Sequence, residues 1–387
     1  MQRSFFRDLS LPAVVAGFVA VLVGFTSSVA IVFAAAQALG ANAAQTASWI
    51  WALGLGMGLT SLGLSLYYRH PVLTAWSTPG AALIAATHGI ALPEATGAFV
   101  VCALLIMVAG YSGLFERLMG RIPMAIAAAL LAGVLAQFAL KAALATVSAP
   151  VLVVTMALAY LAGRRWWPRY AVPGVLLAGI VVAALQGRVH LAGVVVGWTR
   201  PEFVMPAFSW PALVGIGLPL FVVTMASQNL PGVAAQRGSG YDTPVSPVIG
   251  TTGLASLVFA PFGGYALNLA AITAAICMGR EASEDPARRY TASAMAGVFY
   301  IALGLAGGAV AGLLAAFPPE LVAAVAGLAL IGTIAGGLAS ALKDEAHRDA
   351  ALLTFIVTLS GLTVAGIGSA FWGVVAGGVA LAFQRRH

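Results

Sequence analysis

Apolar stretches long enough to cross a membrane follow one another along almost the whole chain, from Leu11 to Phe383. A transmembrane helix needs about 20 mostly apolar residues, and only short polar joints separate these stretches. The chain has 387 residues, of which 61% are hydrophobic and 8% are charged, whereas soluble proteins carry about 25% charged residues. Because water cannot be the main solvent of such a surface, we predict an all-α polytopic membrane protein without a separate soluble domain.

The apolar stretches divide into fourteen predicted transmembrane segments, with bounds accurate to a few residues. Numbered in chain order, they are 12–38, 46–66, 71–89, 94–115, 122–143, 148–163, 171–187, 209–235, 246–260, 262–279, 290–316, 319–341, 349–367 and 369–384. Several are short or are interrupted by Pro and Gly. At membrane depth this is tolerated only where the backbone is buried in protein or lines a cavity.

The distribution of Lys and Arg tests this count. When the N-terminus is placed in the cytoplasm, only Lys141, Arg188 and Arg200 lie outside, which leaves 16 of the 19 basic residues on cytoplasmic joints. Membrane proteins retain positive charge on the cytoplasmic side, and one segment more or fewer in the middle would destroy the asymmetry. We therefore predict fourteen segments in a bacterial inner (cytoplasmic) membrane, with both termini in the cytoplasm.

Composition disfavours several classes of function. The net charge of +7 comes from basic residues scattered over the joints, so nucleic-acid binding is not expected. The two cysteines lie in apolar stretches without the spacing of a metal or redox motif. No cluster of His, Asp, Glu or Cys at catalytic or metal-ligand spacing lies inside the segments. We therefore predict neither an enzyme nor a bound metal or other cofactor.

A weak internal repeat relates the third and tenth segments. The stretch HPVLTAWSTPGAALIAAT (70–87) aligns with APFGGYALNLAAITAAIC (260–277) at an offset of 190, so that Thr78 meets Asn268. Each stretch is the third in a group of seven segments. Because seven is odd, the two groups must run in opposite orientations, which is the arrangement of an inverted repeat.

This repeat predicts the domain organisation of the chain. We place the first repeat, with segments 1–7, at residues 1–187, an external connector at 188–208, and the second repeat, with segments 8–14, at 209–387. The aligned identities are few, so the repeat alone is a modest signal. The repeat is informative about orientation because each group has an odd number of segments.

Segments 3 and 10 each open with residues that disfavour helix and continue as an Ala-rich run. Thr78 and Pro79 suit the N-cap and first position of a helix, and Asn268 is the corresponding N-cap candidate. A helix that begins inside the membrane leaves its first N–H groups free and carries partial positive charge there. Two such ends facing each other would form an anion site without a buried Lys or Arg. The alternative is that Thr78 and Asn268 only bend continuous helices.

Segment 8 carries polar residues in its middle. Gln228 and Asn229 precede Pro231 and Gly232, which should break or kink the helix. Carboxamides in lipid need partners in protein or in a polar cavity, so these two are candidate substrate ligands, or else they join helices by hydrogen bonds. Ser28 lies at similar depth in segment 1, although a small hydroxyl often bonds to its own helix.

Aromatic residues beside these polar positions could hold the apolar part of an organic anion by stacking. Phe25, Trp76, Phe262 and Tyr265 flank the predicted site. Tyr265 is the strongest candidate of the four. The alternative for each of them is ordinary packing.

A proton carrier in the middle of the membrane is not evident. The acidic residues fall at the ends of segments or in joints, and the histidines are similarly peripheral. A weak acid could enter with its own proton, or a peripheral carboxylate such as Glu94 or Asp242 could reach inward.

Three strings, WSTPGAALI, TMASQNLPGVA and FGGYALNLAAITAAICMG, resemble the corresponding segments of the bacterial benzoate–proton symporters, the BenE family. The resemblance runs along essentially the whole chain. It implies the seven-plus-seven inverted-repeat fold shared with uracil permease and the sulfate-type anion carriers. In that fold segments 3 and 10 begin as short strands that pair across the centre, and a core bundle (segments 1–4 and 8–11) carries substrate past a gate bundle (5–7 and 12–14).

In that fold the substrate lies between segments 3 and 10, beside segments 1 and 8. Matched by motif, the resemblance points to six residues of this chain: Ser77, Thr78, Gln228, Asn229, Tyr265 and Asn268. Phe25 and Ser28 of segment 1 complete the candidate substrate-binding set. Nucleobase carriers place carboxylates on segments 8 and 10, whereas this chain has carboxamides, which disfavours a nucleobase substrate and leaves the path of the proton open.

The leading hypothesis is therefore a secondary transporter that imports benzoate or a related aromatic carboxylate with a proton. The alternative within transport is a carrier of a nucleobase or an inorganic anion with the same fold. A passive channel and a membrane-embedded enzyme are weaker alternatives. The expected partners are the organic anion, the proton and the lipid bilayer, and a homodimer is compatible with the sequence, which does not determine the oligomeric state.

Overall fold

A computed structural model describes most of the chain. The described residues are 5–113, 115, 123–167, 171–189, 197–229, 232–233, 235–236, 239–279, 282–307, 309, 316–364 and 367–384. Helices dominate, and the few strands are short. The helices are α1 (Phe5–Asp8), α2 (Leu11–Ala38), α3 (Ala43–Tyr68), α4 (Thr78–Ala85), α5 (Leu92–Tyr111), α6 (Met124–Ser148), α7 (Pro150–Trp166), α8 (Ala171–Leu185), α9 (Trp210–Asn229), α10 (Val245–Phe259), α11 (Ile272–Met278), α12 (Tyr290–Leu305), α13 (Pro319–Lys343), α14 (Arg348–Leu359) and α15 (Ser369–Gln384).

Two pairs of antiparallel strands interrupt the helices. β1 (Thr74–Trp76) pairs with β2 (Leu267–Leu269), and β3 (Thr363–Val364) pairs with β4 (Ile367–Gly368). The first pair joins the predicted segments 3 and 10, where the family resemblance implied short strands. The second pair lies near the end of predicted segment 13.

Local sequence explains where the helices begin. Ser10 is the N-cap of α2, and its hydroxyl accepts a hydrogen bond from the Ala13 N–H. Asn42 and Gln45 form a capping box at the start of α3, because each side chain accepts from the other residue's N–H at 2.9 Å. These caps satisfy N–H groups that a helix leaves free at its first turn.

Four described helices are long and apolar enough to cross a membrane, by length and composition alone: Ala43–Tyr68, Leu92–Tyr111, Trp210–Asn229 and Val245–Phe262. Shorter apolar helices lie at Ser28–Ala38, Gly174–Leu185 and Trp372–Phe383. The chain is thus a mostly helical membrane protein, and the total of fourteen segments stays a prediction.

Glycine allows two pairs of helices to approach closely. α3 packs along α12, and a Cβ atom on Gly54 would lie only 2.5 Å from the Gly304 Cα atom. α5 packs along α10, and a Cβ atom on Gly110 would lie 2.3 Å from the Gly250 backbone nitrogen. Small residues are the usual contact surface between helices in lipid, so the high glycine content is structural here.

The helix pairs follow a regular scheme. In the predicted numbering, α3 with α12 is segment 2 with segment 11, and α5 with α10 is segment 4 with segment 9. If seven is added to or subtracted from each segment number, the pair 2–11 becomes the pair 9–4. The same operation turns α7–α8 (segments 6 and 7) into α14–α15 (segments 13 and 14), and it exchanges the two members of α6–α13 (segments 5 and 12). Such pairing is expected of two seven-segment repeats related by a two-fold axis, and the inverted orientation of the repeats stays a prediction.

Segments 13 and 8 depart from regular α-helix. Segment 13 is predicted as one apolar segment over 349–367, whereas α14 ends at Leu359 and β3 and β4 follow. The physical reason is Gly361, which has a φ of 68° and therefore leaves the helix in a left-handed conformation. In segment 8, α9 contains two π-helical turns, Leu213–Gly217 and Met225–Asn229. The predicted break at Pro231 lies outside the described residues.

Candidate substrate-binding site

The strands β1 and β2 bring the two broken segments together. Ala75 lies opposite Asn268, and Trp76 lies opposite Leu267. One further backbone bond extends the pair, from the Ser77 N–H to the Ala266 carbonyl oxygen at 2.9 Å. Both segments are therefore interrupted at the same level, and each continues as a short helix, α4 or α11.

The two faces of this strand pair have different surroundings. The Thr74 hydroxyl lies 2.7 Å from the hydroxyl of Thr60 and 2.8 Å from that of Ser61, both on α3. Side chains alternate between the faces of a strand. Ala75 and Asn268, which lie opposite each other, therefore share the face that points away from α3.

Ser77 caps α4. Its hydroxyl oxygen accepts a hydrogen bond from the Gly80 N–H at 3.1 Å, and Ser77 is fully buried. The sequence predicted Thr78 as the cap and Pro79 at the first position, but Thr78 is the first helical residue and Pro79 the second. Two adjacent hydroxyl residues could serve, and the one with extended backbone takes the cap.

Ser77 keeps a free proton. Its oxygen accepts one hydrogen bond from Gly80 and another from the Thr224 hydroxyl of α9, at 3.0 Å. A serine hydroxyl has two acceptor lone pairs and one donor proton. Both lone pairs are used, and among the described residues nothing accepts the proton. Ser77 is therefore able to donate a hydrogen bond to an anion.

Asn268 lies within β2 rather than at a helix N-cap, which corrects the second predicted cap. α11 begins four residues later at Ile272, and its first turn has no side-chain cap. The helices before the two strands each end in a left-handed residue, Arg69 with a φ of 55° and Gly263 with a φ of 96°, and these residues are 194 positions apart (263 − 69). The strands are related by an offset of 193, from Thr74 to Leu267, instead of the 190 used in the sequence alignment.

The carboxamide of Asn268 is unsatisfied. Its side chain is fully buried, and neither its oxygen nor its nitrogen has a hydrogen-bond partner among the described residues. A buried polar group without a partner is rare and costs about 1–3 kcal/mol. The amide therefore has two donor protons and an acceptor oxygen available for a ligand.

In Asn229, by contrast, both polar atoms of the side chain are hydrogen-bonded within the protein. Its Oδ1 atom accepts a hydrogen bond from the Leu269 N–H at 2.9 Å, and its Nδ2 atom donates to the Met225 sulfur at 3.2 Å. Asn229 therefore fixes the end of β2 against α9. Its neighbour Gln228 is half-buried, and the structure records no hydrogen bond between it and another described residue.

Ser28 positions an aromatic ring. The Trp76 Nε1–H donates to the Ser28 hydroxyl oxygen at 2.9 Å, and this hydroxyl donates to the Gly24 carbonyl oxygen at 3.0 Å. The proton of Ser28 is thus used within α2. The Phe25 ring packs edge-on against Trp76 with 5.1 Å between centroids, so segments 1 and 3 share an aromatic pair beside the strands.

Tyr265 lies in a second aromatic cluster. Its ring centroid is 5.7 Å from that of Trp49 on α3 and 6.1 Å from that of Phe99 on α5. The side chain is fully buried, and its hydroxyl has no partner among the described residues. The ring is therefore held by the helices behind the strands, while the hydroxyl remains able to donate.

Comparisons with known proteins place the chain in a family. Residues 7–383 match the family model BenE, described as benzoate membrane transport protein. The chain belongs to this benzoate transport family. Its members are membrane transporters and not enzymes, which confirms the sequence-based assignment to this family and the expectation of a transporter.

Two relatives support this family membership, and one solved structure has a similar fold. The transporter is 50% identical over 369 residues to the inner membrane protein YdcO of Escherichia coli K12, covering 95% of this chain and 94% of that protein. It is 41% identical over 372 residues to the benzoate membrane transport protein of Acinetobacter baylyi, covering 96% and 94%. Its fold resembles the transmembrane domain of the cyanobacterial bicarbonate transporter BicA, with a TM-score of 0.61, 14% identity and coverage of 96% and 98%.

In this BenE-family transporter, direct contacts join five of the eight predicted residues to the strand pair: Phe25, Ser28, Ser77, Asn229 and Asn268. Thr78 follows as the first residue of α4. Gln228 precedes Asn229 and Tyr265 lies three residues before Asn268, but the side chain of neither has a hydrogen bond to another described residue. Thr224, whose hydroxyl donates to Ser77, is missing from the set predicted from the sequence. Thr224 is the first residue of the string TMASQNLPGVA, and its position one helical turn before Gln228 could have identified it as a polar residue of the site.

All hydrogen bonds of this site join uncharged groups. Positive potential must therefore come from N–H groups at the start of α4 and from the free protons of Ser77 and Asn268. Such donors stabilise an anion without the desolvation penalty of a buried Lys or Arg. The described groups of the site are chemically suited to hold a small anion.

Proposed function

We propose that this transporter imports benzoate, or a related aromatic carboxylate, together with a proton. The observation that carries the proposal is the buried and unpartnered carboxamide of Asn268 beside the α4 N-terminus. Membership in the benzoate transport family and the 41% identity to a benzoate membrane transport protein support the choice of an aromatic acid.

The carboxylate is held by donors from both broken segments. Ser77 donates its free proton, Asn268 donates from its amide, and the first free N–H group of α4, that of Thr78, adds a third donor. Gln228, which is half-buried and has no recorded partner, orients the carboxylate from α9.

The ring is held by aromatic and apolar surface. Phe25 and Trp76 form a packed pair next to the strands, and Ser28 fixes the tryptophan in place. The Tyr265 hydroxyl adds a donor from the side of β2 that packs against α3 and α5. Stacking of a flat ring on such residues is favourable by about 0.5–1.5 kcal/mol beyond the area buried.

The transport cycle uses two bundles. Segments 1–4 and 8–11 form a core bundle that carries the substrate, and segments 5–7 and 12–14 form a gate bundle. The repeats occupy residues 1–187 and 209–387, joined by the external connector 188–208. The protein lies in the inner membrane with both termini in the cytoplasm.

Uptake of labelled benzoate into proteoliposomes tests this proposal. We expect saturable accumulation that requires an inward pH gradient and is abolished by a proton ionophore. Uptake that is insensitive to the gradient would contradict proton coupling, and uptake that fails to saturate would favour a channel.

Competition identifies the substrate class. Excess unlabelled benzoate should block uptake, whereas uracil, sulfate and bicarbonate should not. Inhibition by uracil or an inorganic anion, with none by benzoate, would establish the alternative carrier of the same fold.

A further inference from the structure

His70 closes a ring of hydrogen bonds at one end of the proposed substrate site. Its Nδ1 atom lies 2.9 Å from the Thr243 hydroxyl, Thr243 donates to Gln236 Oε1 at 2.9 Å, and Gln236 Nε2 donates to the Pro71 carbonyl oxygen at 2.9 Å. Pro71 is bonded to His70 in the chain. The ring therefore links the joint before β1 to the chain between α9 and α10.

The donor and the acceptor of each hydrogen bond in this ring can be assigned. A carbonyl oxygen only accepts, so the Gln236 nitrogen must face Pro71 and its oxygen must face Thr243. The single proton of Thr243 is then used by Gln236, and the Thr243 oxygen must accept from His70. Nδ1 of His70 consequently carries a hydrogen, and Nε2 is the atom that gains or loses a proton.

The ring borders a pocket that reaches the strand pair. This pocket is small and partly open, and it is lined by the polar residues Gln236, Tyr241 and Thr243 and the apolar residues Val233, Val245, Val248 and Leu269. Leu269 lies directly after Asn268, and Asn229 holds its N–H. Through Pro71 and the hydrogen bond that it accepts from Gln236, His70 is therefore connected to the end of β1 that pairs with Leu269.

The described surroundings of His70 permit titration. The ring is half-buried and packs against Tyr241 at 5.6 Å between centroids. Burial lowers the pKa of His70, and the Asp242 carboxylate raises it by a smaller amount. The next residue in the chain, Arg69, is paired with Asp8 at 3.2 Å. The imidazole is thus neutral at neutral pH and gains charge when the pH falls or an anion approaches.

We propose that His70 is the residue that takes up a proton when the aromatic carboxylate binds, and this inference rests on the proposed function. The proton comes from water and adds to Nε2, so no bond of the ring is broken. The resulting imidazolium and the bound carboxylate stabilise each other. Because the coupling between two binding events is reciprocal, a proton that strengthens anion binding is itself bound more tightly when the anion is bound. The other described histidines are placed differently, since His88 is exposed and His347 is bonded to Asp344.

His70→Asn separates proton uptake from structure. The Asn amide nitrogen takes roughly the place of Nδ1 and preserves the hydrogen bond to Thr243, but the side chain has no titratable nitrogen. His88→Asn is the matched control, because it removes an exposed imidazole outside this ring.

The test is calorimetric titration of purified protein with benzoate, in buffers of different ionisation enthalpy, to count protons taken up per ligand. In the unchanged protein and in His88→Asn we expect proton uptake and roughly tenfold tighter binding at about pH 5.5 than at about pH 7.5, which lies within the usual range of coupling between two binding events. In His70→Asn, binding should persist with no proton uptake and less than about twofold pH dependence.

A second substitution tests His70 indirectly, because it changes the nearby carboxylate of Asp242. Asp242→Asn removes the carboxylate that raises the pKa of His70, so proton uptake should move to lower pH without disappearing. A structural role for His70 would not produce this shift.

The possible failures are distinct. If His70→Asn retains the proton uptake of the unchanged protein, or if the unchanged protein binds benzoate without proton uptake, the inference about His70 is wrong while the substrate assignment stands. If the unchanged protein binds no benzoate at all, the proposed function is wrong and the inference falls with it.

Discussion

The two broken segments of this transporter have the same outline and different chemistry. On the α4 side, Ser77 caps the helix and receives a second hydrogen bond from Thr224. On the α11 side, the helix has no side-chain cap, and Asn268 in the preceding strand has no partner among the described residues. The hydrogen bonds on the α4 side are already formed without a ligand. On the α11 side, Asn268 keeps donor and acceptor atoms that no other described residue uses.

This difference suggests a division of labour between the repeats. A capped and hydrogen-bonded N-terminus supplies a rigid positive end, because its geometry is fixed before the anion arrives. An unsatisfied amide supplies binding energy, because its desolvation cost is already present in the empty protein. Substitutions on either side should therefore weaken binding, but only those on the α4 side should also lower stability.

Asn268→Ala should have the largest effect on binding. We expect benzoate affinity to fall by a factor of about 5–150, which corresponds to about 1–3 kcal/mol for a lost hydrogen bond to a charged ligand. The melting temperature of the empty protein should stay unchanged or rise, because an unpartnered buried amide is removed. Thermal-shift titration with benzoate measures both quantities.

Asn229→Ala is the control for that substitution. It removes the acceptor of the Leu269 N–H, so the empty protein should lose about 1–3 kcal/mol of stability. If Asn268→Ala destabilised the empty protein as Asn229→Ala does, or kept the affinity of the unchanged protein, Asn268 would have a structural role instead.

Ser77→Ala should lower both stability and affinity. The loss of an N-cap costs about 0.5–2 kcal/mol, and Thr224 also loses its acceptor. Benzoate affinity should fall roughly tenfold with the lost donor. Thr78→Ala is the matched variant, and it should change stability by less than about 0.5 kcal/mol. The reverse order of the two stabilities would restore Thr78 as the cap.

Ser28→Ala should lower stability more than affinity. It leaves the buried Trp76 Nε1–H without its acceptor, which costs about 1–3 kcal/mol. Because the Ser28 proton is used within α2, affinity should fall by less than about fivefold. A loss of affinity as large as that of Asn268→Ala, at unchanged stability, would mean that Ser28 binds the carboxylate directly.

Tyr265→Phe should have the smallest effect. The hydroxyl has no partner among the described residues, so its removal should not lower the melting temperature. We expect benzoate affinity to fall about threefold, near the low end for a neutral donor. A clear loss of stability would instead reveal a hydrogen bond that holds the aromatic cluster with Trp49 and Phe99.

The sequence predicted the breaks but not the register. Helix-poor residues followed by an Ala-rich run identified both broken segments, because these patterns depend on local backbone preference alone. The assignment of Thr78 rather than Ser77 as the cap failed because adjacent hydroxyl residues are equivalent until the backbone conformation is known. The offset of 190 differs from the 193 between Thr74 and Leu267, because the few aligned identities on which it rested do not mark the strands.

The roles of individual polar residues could not be predicted from the sequence. Ser28, Asn229 and Asn268 all look like mid-membrane polar groups in the sequence. They differ only in which of their donors and acceptors are already used, and this depends on residues far away in the chain, such as Trp76 for Ser28 and Leu269 for Asn229. Satisfaction of hydrogen bonds is a property of the folded protein.

The most direct test of the central claim is a structure with 4-bromobenzoate bound, in which the anomalous signal of bromine fixes the orientation of the ligand. We predict the carboxylate between the two broken segments, with oxygens within about 3.2 Å of Ser77 Oγ and Asn268 Nδ2. The bromine should lie on the side of Phe25 and Trp76. A ligand bound elsewhere, or a carboxylate that leaves Asn268 without a partner, would contradict the account.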